Sequence, residues 1–211
     1  MTHISRFVSI ILLSVFCALP VQAANPIYDQ NIADIHQIED YLNSIQSMRA
    51  TFVQASSNGN SAQGKVYLAR PSKLRFTYDG DKPIELVSDG KKLVYYDGKL
   101  EQVTYTSIDS SPLAPILKSK VEFNDPKIIL TGFEKKRGEI SVSFIGKDDP
   151  GAGQVTLQFD AEPLTLKRWV IHDSQDIVTT VSLVDPEPGV DIDPKIFKFD
   201  DPRPLNKRID Q

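Results

Sequence analysis

An antiparallel β-sheet, strongly curved or closed on itself and carrying a few short helices, is the fold class this sequence predicts: mainly β, in the α+β sense. Three observations lead there. From Met48 onward apolar residues recur at every second position, in run after run. Turn signals separate the runs at intervals near the ~8–12 residues of sandwiches and barrels. No internal repeat, low-complexity stretch or linker divides the chain.

The N-terminus is read apart from the fold. Arg6 and His3 give a weakly basic start, Phe7 to Leu19 is almost wholly apolar, and Val21-Gln22-Ala23 offers small residues for cleavage. Residues 1–23 are therefore expected to be a secretory signal, cut near Ala23/Ala24, with residues 24–211 forming one domain. The apolar run is shorter than the ~20 residues of a membrane span. Cys17 follows bulky Phe16 inside this run, so it is assigned to the leader, and neither disulfides nor thiol chemistry is expected afterwards. Without Arg6, 23 basic residues face 28 acidic ones, a formal charge of about −5. An acidic chain lacking a basic cluster is not a nucleic-acid binder.

The first periodic segment is a helix. Ile32, Ile35, Ile38, Leu42 and Ile45 form one apolar stripe, with Asp34, Glu39, Asp40 and Asn43 off it. Such a stripe either packs on a sheet or covers a cavity. The period then becomes two: Val66 and Leu68; Leu74, Phe76 and Tyr78; Ile140, Val142 and Phe144; Val155, Leu157 and Phe159; Ile177, Thr179, Val181 and Leu183. Asn58-Gly59, Asp79-Gly80, Asp89-Gly90, Asp97-Gly98, Arg137-Gly138 and Pro150-Gly151 mark turns, where positive φ suits Gly. About ten strands result. Between them, Ser111 to Leu117 predicts a short helix with Ser111 as its cap and Pro112 in its first turn. Asp193 to Phe197 predicts one more helical turn, leading into a final strand from Phe197 to Phe199.

Catalytic equipment is sparse. His172 beside Asp173 invites a triad, yet no G-x-S-x-G turn supplies a nucleophile. No metal-ligand spacing is present, so no metal or other cofactor is expected. Paired carboxylates for a hydrolase are available in any acidic β-protein and single out nothing. The aromatic residues lie mostly on strands, where they either fill a core or line an apolar pocket; alternation is identical in both cases.

The ordered motifs resemble the LolA family of outer-membrane lipoprotein carriers. They are Met48-Arg49-Ala50-Thr51-Phe52-Val53-Gln54, the stretch from Gly64 through Arg70-Pro71 to Arg75-Phe76, then Val87-Ser88-Asp89-Gly90, Tyr95-Tyr96-Asp97, Glu101-Gln102-Val103, and the short helix from Ser111 to Leu117. The resemblance extends over nearly all of the chain after the leader and is most specific from Gly64 to Val103. This chain departs from it at Leu68 and Leu74, where Trp or Phe is frequent.

The resemblance implies an incomplete, open antiparallel β-barrel of about ten to eleven strands, covered by short lid helices, with an apolar cavity for acyl chains. It implies a periplasmic chaperone, not an enzyme, acting as a monomer. Its partners would be acylated lipoproteins, an ABC-type release complex of the inner membrane and an acceptor at the outer membrane. Residue by residue, Arg70 would lock the lid through backbone carbonyls, and Leu113, Ile116 and Leu117 would form the lid face. Phe52, Leu74, Phe76, Tyr78 and Tyr95 would contact cargo. A binding or sensing module for other amphiphiles, such as glycolipids, on the same half-barrel is the alternative.

Overall fold

Alternation along the chain becomes strand beside sequential strand. The structure, a computed structural model, describes residues 25–204. The expected leader, its cleavage near Ala23/Ala24 and Cys17 lie outside the described residues, as does the chain beyond Pro204.

Two helices come first, α1 (Pro26–Gln30) and α2 (Ile32–Ser44). The Asn25 side chain accepts the Tyr28 N–H at 3.4 Å, and Pro26 suits the first turn of α1. Sequence reading does not contain α1, because five residues are too few to show a period. On α2, Ile35, Ile38 and Leu42 are buried as expected, while Ile32 stays 46% exposed.

Eleven strands follow: β1 (Ser47–Ser56), β2 (Ser61–Ala69), β3 (Lys73–Tyr78), β4 (Ile84–Asp89), β5 (Lys92–Asp97), β6 (Gln102–Ser107), β7 (Ile128–Lys136), β8 (Glu139–Gly146), β9 (Gln154–Ala161), β10 (Leu164–His172) and β11 (Val178–Pro188). All pairs are antiparallel, in the order β6-β5-β4-β3-β2-β1-β11-β10-β9-β8-β7. The chain starts mid-sheet at β1, walks out to the β6 edge, crosses to the β7 edge, and returns to lay β11 against β1. The crossing carries a 3₁₀ turn (Ile108–Ser110) and α3 (Ala114–Leu117).

The sheet curls deeply. Phe76 on β3 and Trp169 on β10 stand four strands apart, about 19 Å along a flat sheet at ~4.8 Å per strand. Their ring centroids lie 6.2 Å apart, edge to face. Only a sheet bent around its own inner face permits that. Register shifts between Arg49 and Thr51, Leu130 and Gly132, and Leu166 and Arg168 mark irregularities where strands can bend. Strands β6 and β7 do not pair, so the barrel is incomplete.

Inside the curl sits one large apolar cluster, with α2 and α3 packed onto it. On the opposite face Val94, Tyr96 and Val103 form a smaller cluster with Phe199.

Two local expectations are corrected. The short helix starts at Ala114, not Pro112, because Ser111 spends its side chain on the Leu113 N–H and its carbonyl on the Ala114 N–H, closing a turn first. The final strand is absent. Pro194–Phe197 is a 3₁₀ turn, and beyond it Phe199 packs on Tyr96 at 5.8 Å. Carbonyls that a ladder would need, those of Ile196 and Lys198, accept from Arg75 Nη1 at 2.9 and 3.4 Å.

Candidate functional site

Arg70 stands at the corner between β2 and β3. Its Nε donates to Ile45 O at 2.9 Å, Nη1 to Lys118 O at 2.6 Å and Nη2 to Leu42 O at 3.2 Å. Helices end on carbonyls without intrahelical partners, at the negative pole of the helix dipole. Ile45 and Lys118 terminate α2 and α3, so one guanidinium ties both helix ends to the sheet. A planar fork of five donors suits that task where an ammonium does not. No carboxylate faces it, and burial pulls its pKa down to about 10, so it remains charged at neutral pH.

The corner is braced from behind. Ser72 N–H donates to Leu117 O at 2.8 Å, and the Ser88 hydroxyl donates to Ser72 O at 2.7 Å. Ser88 is fully buried, and its oxygen also accepts the Gly90 N–H at 3.2 Å. Gly90 adopts φ +107°, a conformation open to glycine, and thereby carries the chain back toward β5.

A second join lies within the cover itself. Asn43 Nδ2 donates to Val121 O at 3.0 Å while Val121 N–H donates to Asn43 Oδ1 at 2.8 Å. Phe123 N–H donates to the Glu39 carboxylate at 2.6 Å. Burial pushes the Glu39 carboxyl up from its ordinary range, and the Phe123 N–H works against that.

Beneath α2 and α3 lies a cavity of about 40 Å³, lined by Leu42, Ile45, Met48, Val66, Leu68, Arg70, Leu74, Leu113, Ile116, Leu117, Leu166 and Trp169. Ordinary ligand pockets measure about 300–1,000 Å³. As clasped, the interior is far smaller than such pockets. A broader groove of about 800 Å³ between α1 and β7 shares none of these lining residues and opens to solvent.

The model of the outer membrane lipoprotein carrier protein LolA matches residues 43–200. The chain belongs to this family. An outer-membrane lipoprotein carrier protein of Nitrosomonas europaea is 26% identical over 210 residues, covering 94% of this chain and 96% of the relative. One from Methylococcus capsulatus is 26% identical over 175 residues, covering 79% and 83%. A crystal structure of a LolA superfamily protein from Nitrosomonas europaea aligns over 78% of this chain and 97% of its own, at 11% identity and a TM-score of 0.43. Family membership rests on the sequence matches and not on that likeness.

Among the residues singled out from the LolA resemblance, the fold brings Arg70, Leu74, Leu113, Ile116 and Leu117 together around the cavity. Phe52, Phe76 and Tyr78 stand beside it as a solid aromatic cluster, Phe52 meeting Phe76 at 4.9 Å and Tyr78 at 5.1 Å. Burial lifts the Tyr78 phenol to about 12. Tyr95 is not brought in. It shares a row with Phe76 and Leu86 across β3, β4 and β5, but does not line the cavity and is 41% exposed. Sequence reasoning missed Leu166 and Trp169 as cavity lining, since only the curl carries β10 to β3. Glu39 and Asn43 were read merely as the polar side of α2, and no pattern in the sequence separates them from Asp34 or Asp40.

The residues weighed for catalysis go elsewhere. His172 Nε2 lies 3.2 Å from Asp176, both on the surface, and Asp173 accepts the N–H groups of Gln175 and Ile177 in a turn. Among the described residues no group of three or more His, Cys, Asp or Glu is placed to hold a metal.

Proposed function

We propose that this protein carries lipoproteins through the periplasm, holding their acyl chains inside the curled sheet and releasing them at the outer membrane. It is a chaperone and catalyses no reaction. It takes its cargo from an ABC-type release complex of the inner membrane, passes it to an outer-membrane acceptor, and works as a monomer. The observation that carries the reading is a collapsed apolar interior under two helices whose ends are clasped by one partly buried arginine.

Magnitudes agree with reversible loading. Each buried methylene contributes ~0.8 kcal/mol, so a chain of about a dozen contributes ~10 kcal/mol and will not stay in water unshielded. Leu113, Ile116 and Leu117 give up comparable burial when the lid lifts, at about 1.5–3 kcal/mol each. Uptake thus exchanges one set of apolar contacts for another, and the lost lid burial offsets part of the gain from the acyl chains. The Arg70 hydrogen bonds add a directional threshold that hydrocarbon cannot replace.

A release assay tests this. The purified, processed protein is added to spheroplasts holding acyl-labelled lipoproteins, and the supernatant is examined for a soluble one-to-one complex. Its formation supports the carrier. With folded protein and the cognate transporter present, a supernatant without complex rejects it.

A further inference from the structure

The cover of the interior is built from two separate stretches of chain, α2 on one side and α3 with the segment 118–123 that continues it on the other, and what holds them to each other differs in kind from what holds them to the sheet. Positions 39 and 43 are four apart on a helix and so share a face, with Cβ atoms about 5–6 Å apart. Positions 121 and 123 lie two apart in the irregular connection that precedes β7. Glu39 takes the Phe123 N–H while Asn43 takes both backbone groups of Val121. Val121 and Phe123 are fully buried.

Toward the sheet, the cover makes mainly apolar contacts, with polar ones at two places. At the β2–β3 corner stand Arg70 and the Ser72 N–H. On the other flank Tyr41 Oη accepts the Leu166 N–H at 3.0 Å, and Lys135 Nζ lies 2.8 Å from Asp34.

Hydrocarbon can take the place of an apolar contact but not of a hydrogen bond. A chain entering between α2 and the segment 118–123 would strand buried amides at about 1–3 kcal/mol apiece. One entering between cover and sheet at the corner has to part only the Arg70 fork and the single Ser72 N–H to Leu117 O bond at the rim. We infer that α2 and the segment 118–123 lift as one body, opening at the β2–β3 corner and pivoting on the flank held by β7 and β10, with Glu39 and Asn43 as the positioning residues that keep the body whole. This rests on the carrier reading above.

The test uses two cysteine pairs in the processed protein, each joined by a flexible, reductively cleavable bis-thiol reagent. Asp40→Cys with Lys120→Cys bridges exposed positions of the two stretches and leaves Glu39 and Asn43 in place. Ser72→Cys with Ser119→Cys bridges cover to sheet at the opening corner. The readout is uptake of a synthetic lipopeptide bearing an S-diacylglyceryl cysteine. The first bridge is expected to leave uptake unchanged. The second is expected to reduce it at least about tenfold, equivalent to ~1.4 kcal/mol, with recovery on reduction. Loss of uptake in the first pair, restored by reduction, would show that the cavity opens between α2 and the segment and would overturn the inference. Undiminished uptake in the bridged second pair would overturn it too, since the corner would not be the opening. If the unbridged proteins take up no lipopeptide, the carrier reading itself fails, which separates the two outcomes.

Discussion

Arg70 is a partly buried cation with no carboxylate paired to it, and its partners are three carbonyls that water would satisfy equally well if the helices were raised. Arg70→Leu therefore removes the clasp without leaving an uncompensated charge. Buried carbonyls left bare cost about 1–3 kcal/mol each, and lifting the helices relieves that cost, so the change shifts the balance toward the open form. The expected result is faster exchange of the Ser72 amide, now bonded to Leu117 O, with the denaturation midpoint nearly unmoved and lipoprotein transfer impaired. Exchange at Ser72 as slow as in the parent would refute the clasp. Glu39 offers a second test, through pH. Its carboxyl is raised mainly by burial, so the folded protein holds that proton more tightly than the unfolded chain. Stability from this group is present below the unfolded value and is lost as pH rises through the folded one. Glu39→Gln keeps an acceptor for the Phe123 N–H and discards the buried charge. Denaturant titrations should find it more stable than the parent near pH 7, with the difference shrinking toward pH 4. A difference independent of pH would show that the charge was not the cause.

At the scale of elements, the β1-β2-β3 curl depends on a missing side chain. Gly64 lies between Phe52 and Tyr78 in the register. A Cβ there would sit 2.0 Å from Thr77 O, so β2 and β3 approach in a way only glycine allows. The gap also lets the Phe52 and Tyr78 rings meet edge to face. Gly64→Ala should cost roughly 2 kcal/mol or more, read as a lowered urea midpoint with an unchanged slope. A midpoint equal to the parent's would mean the strands can part there freely. The motif stretch from Gly64 to Phe76 is thus a structural plan: a close-approach glycine, a corner that clasps the ends of α2 and α3, and Arg75, which holds the C-terminal segment on the opposite face.

For the molecule as a whole, the carrier mechanism proposed above makes loading the replacement of one interior by another. The chain contains a single tryptophan, and Trp169 lines the cavity against Leu166 and the lid residues. Uptake of a diacyl lipopeptide should change its emission, and chains brominated along their length should quench it. Quenching that is absent while binding is measured independently would place the acyl chains elsewhere, for example in the groove between α1 and β7. Because contacts are exchanged and not merely added, the affinity is expected to be far weaker than the buried methylenes alone suggest.

What the sequence determined by itself is local and periodic. Alternation and Gly turns specify the antiparallel strands, the stripe from Ile35 to Leu42 specifies the buried face of α2, and the order of motifs specifies the family. These are properties of neighbours along the chain, and a one-residue slip would expose each strand's apolar set. Other features were decided only by the tertiary structure. Whether the aromatics line a hollow or fill it depends on how far the sheet curls, and Phe76 meeting Trp169 has no signature in either strand. The final strand expected at Phe197 to Phe199 gave way to a side chain from β3. Tyr95 follows the same alternation as Leu93, yet Leu93 is buried and Tyr95 is exposed. Glu39 and Asn43 look like solvated positions because the segment they hold is 78 to 84 residues away. Periodicity reports which way a side chain faces; what it meets there depends on which distant element the curl of the sheet brings opposite.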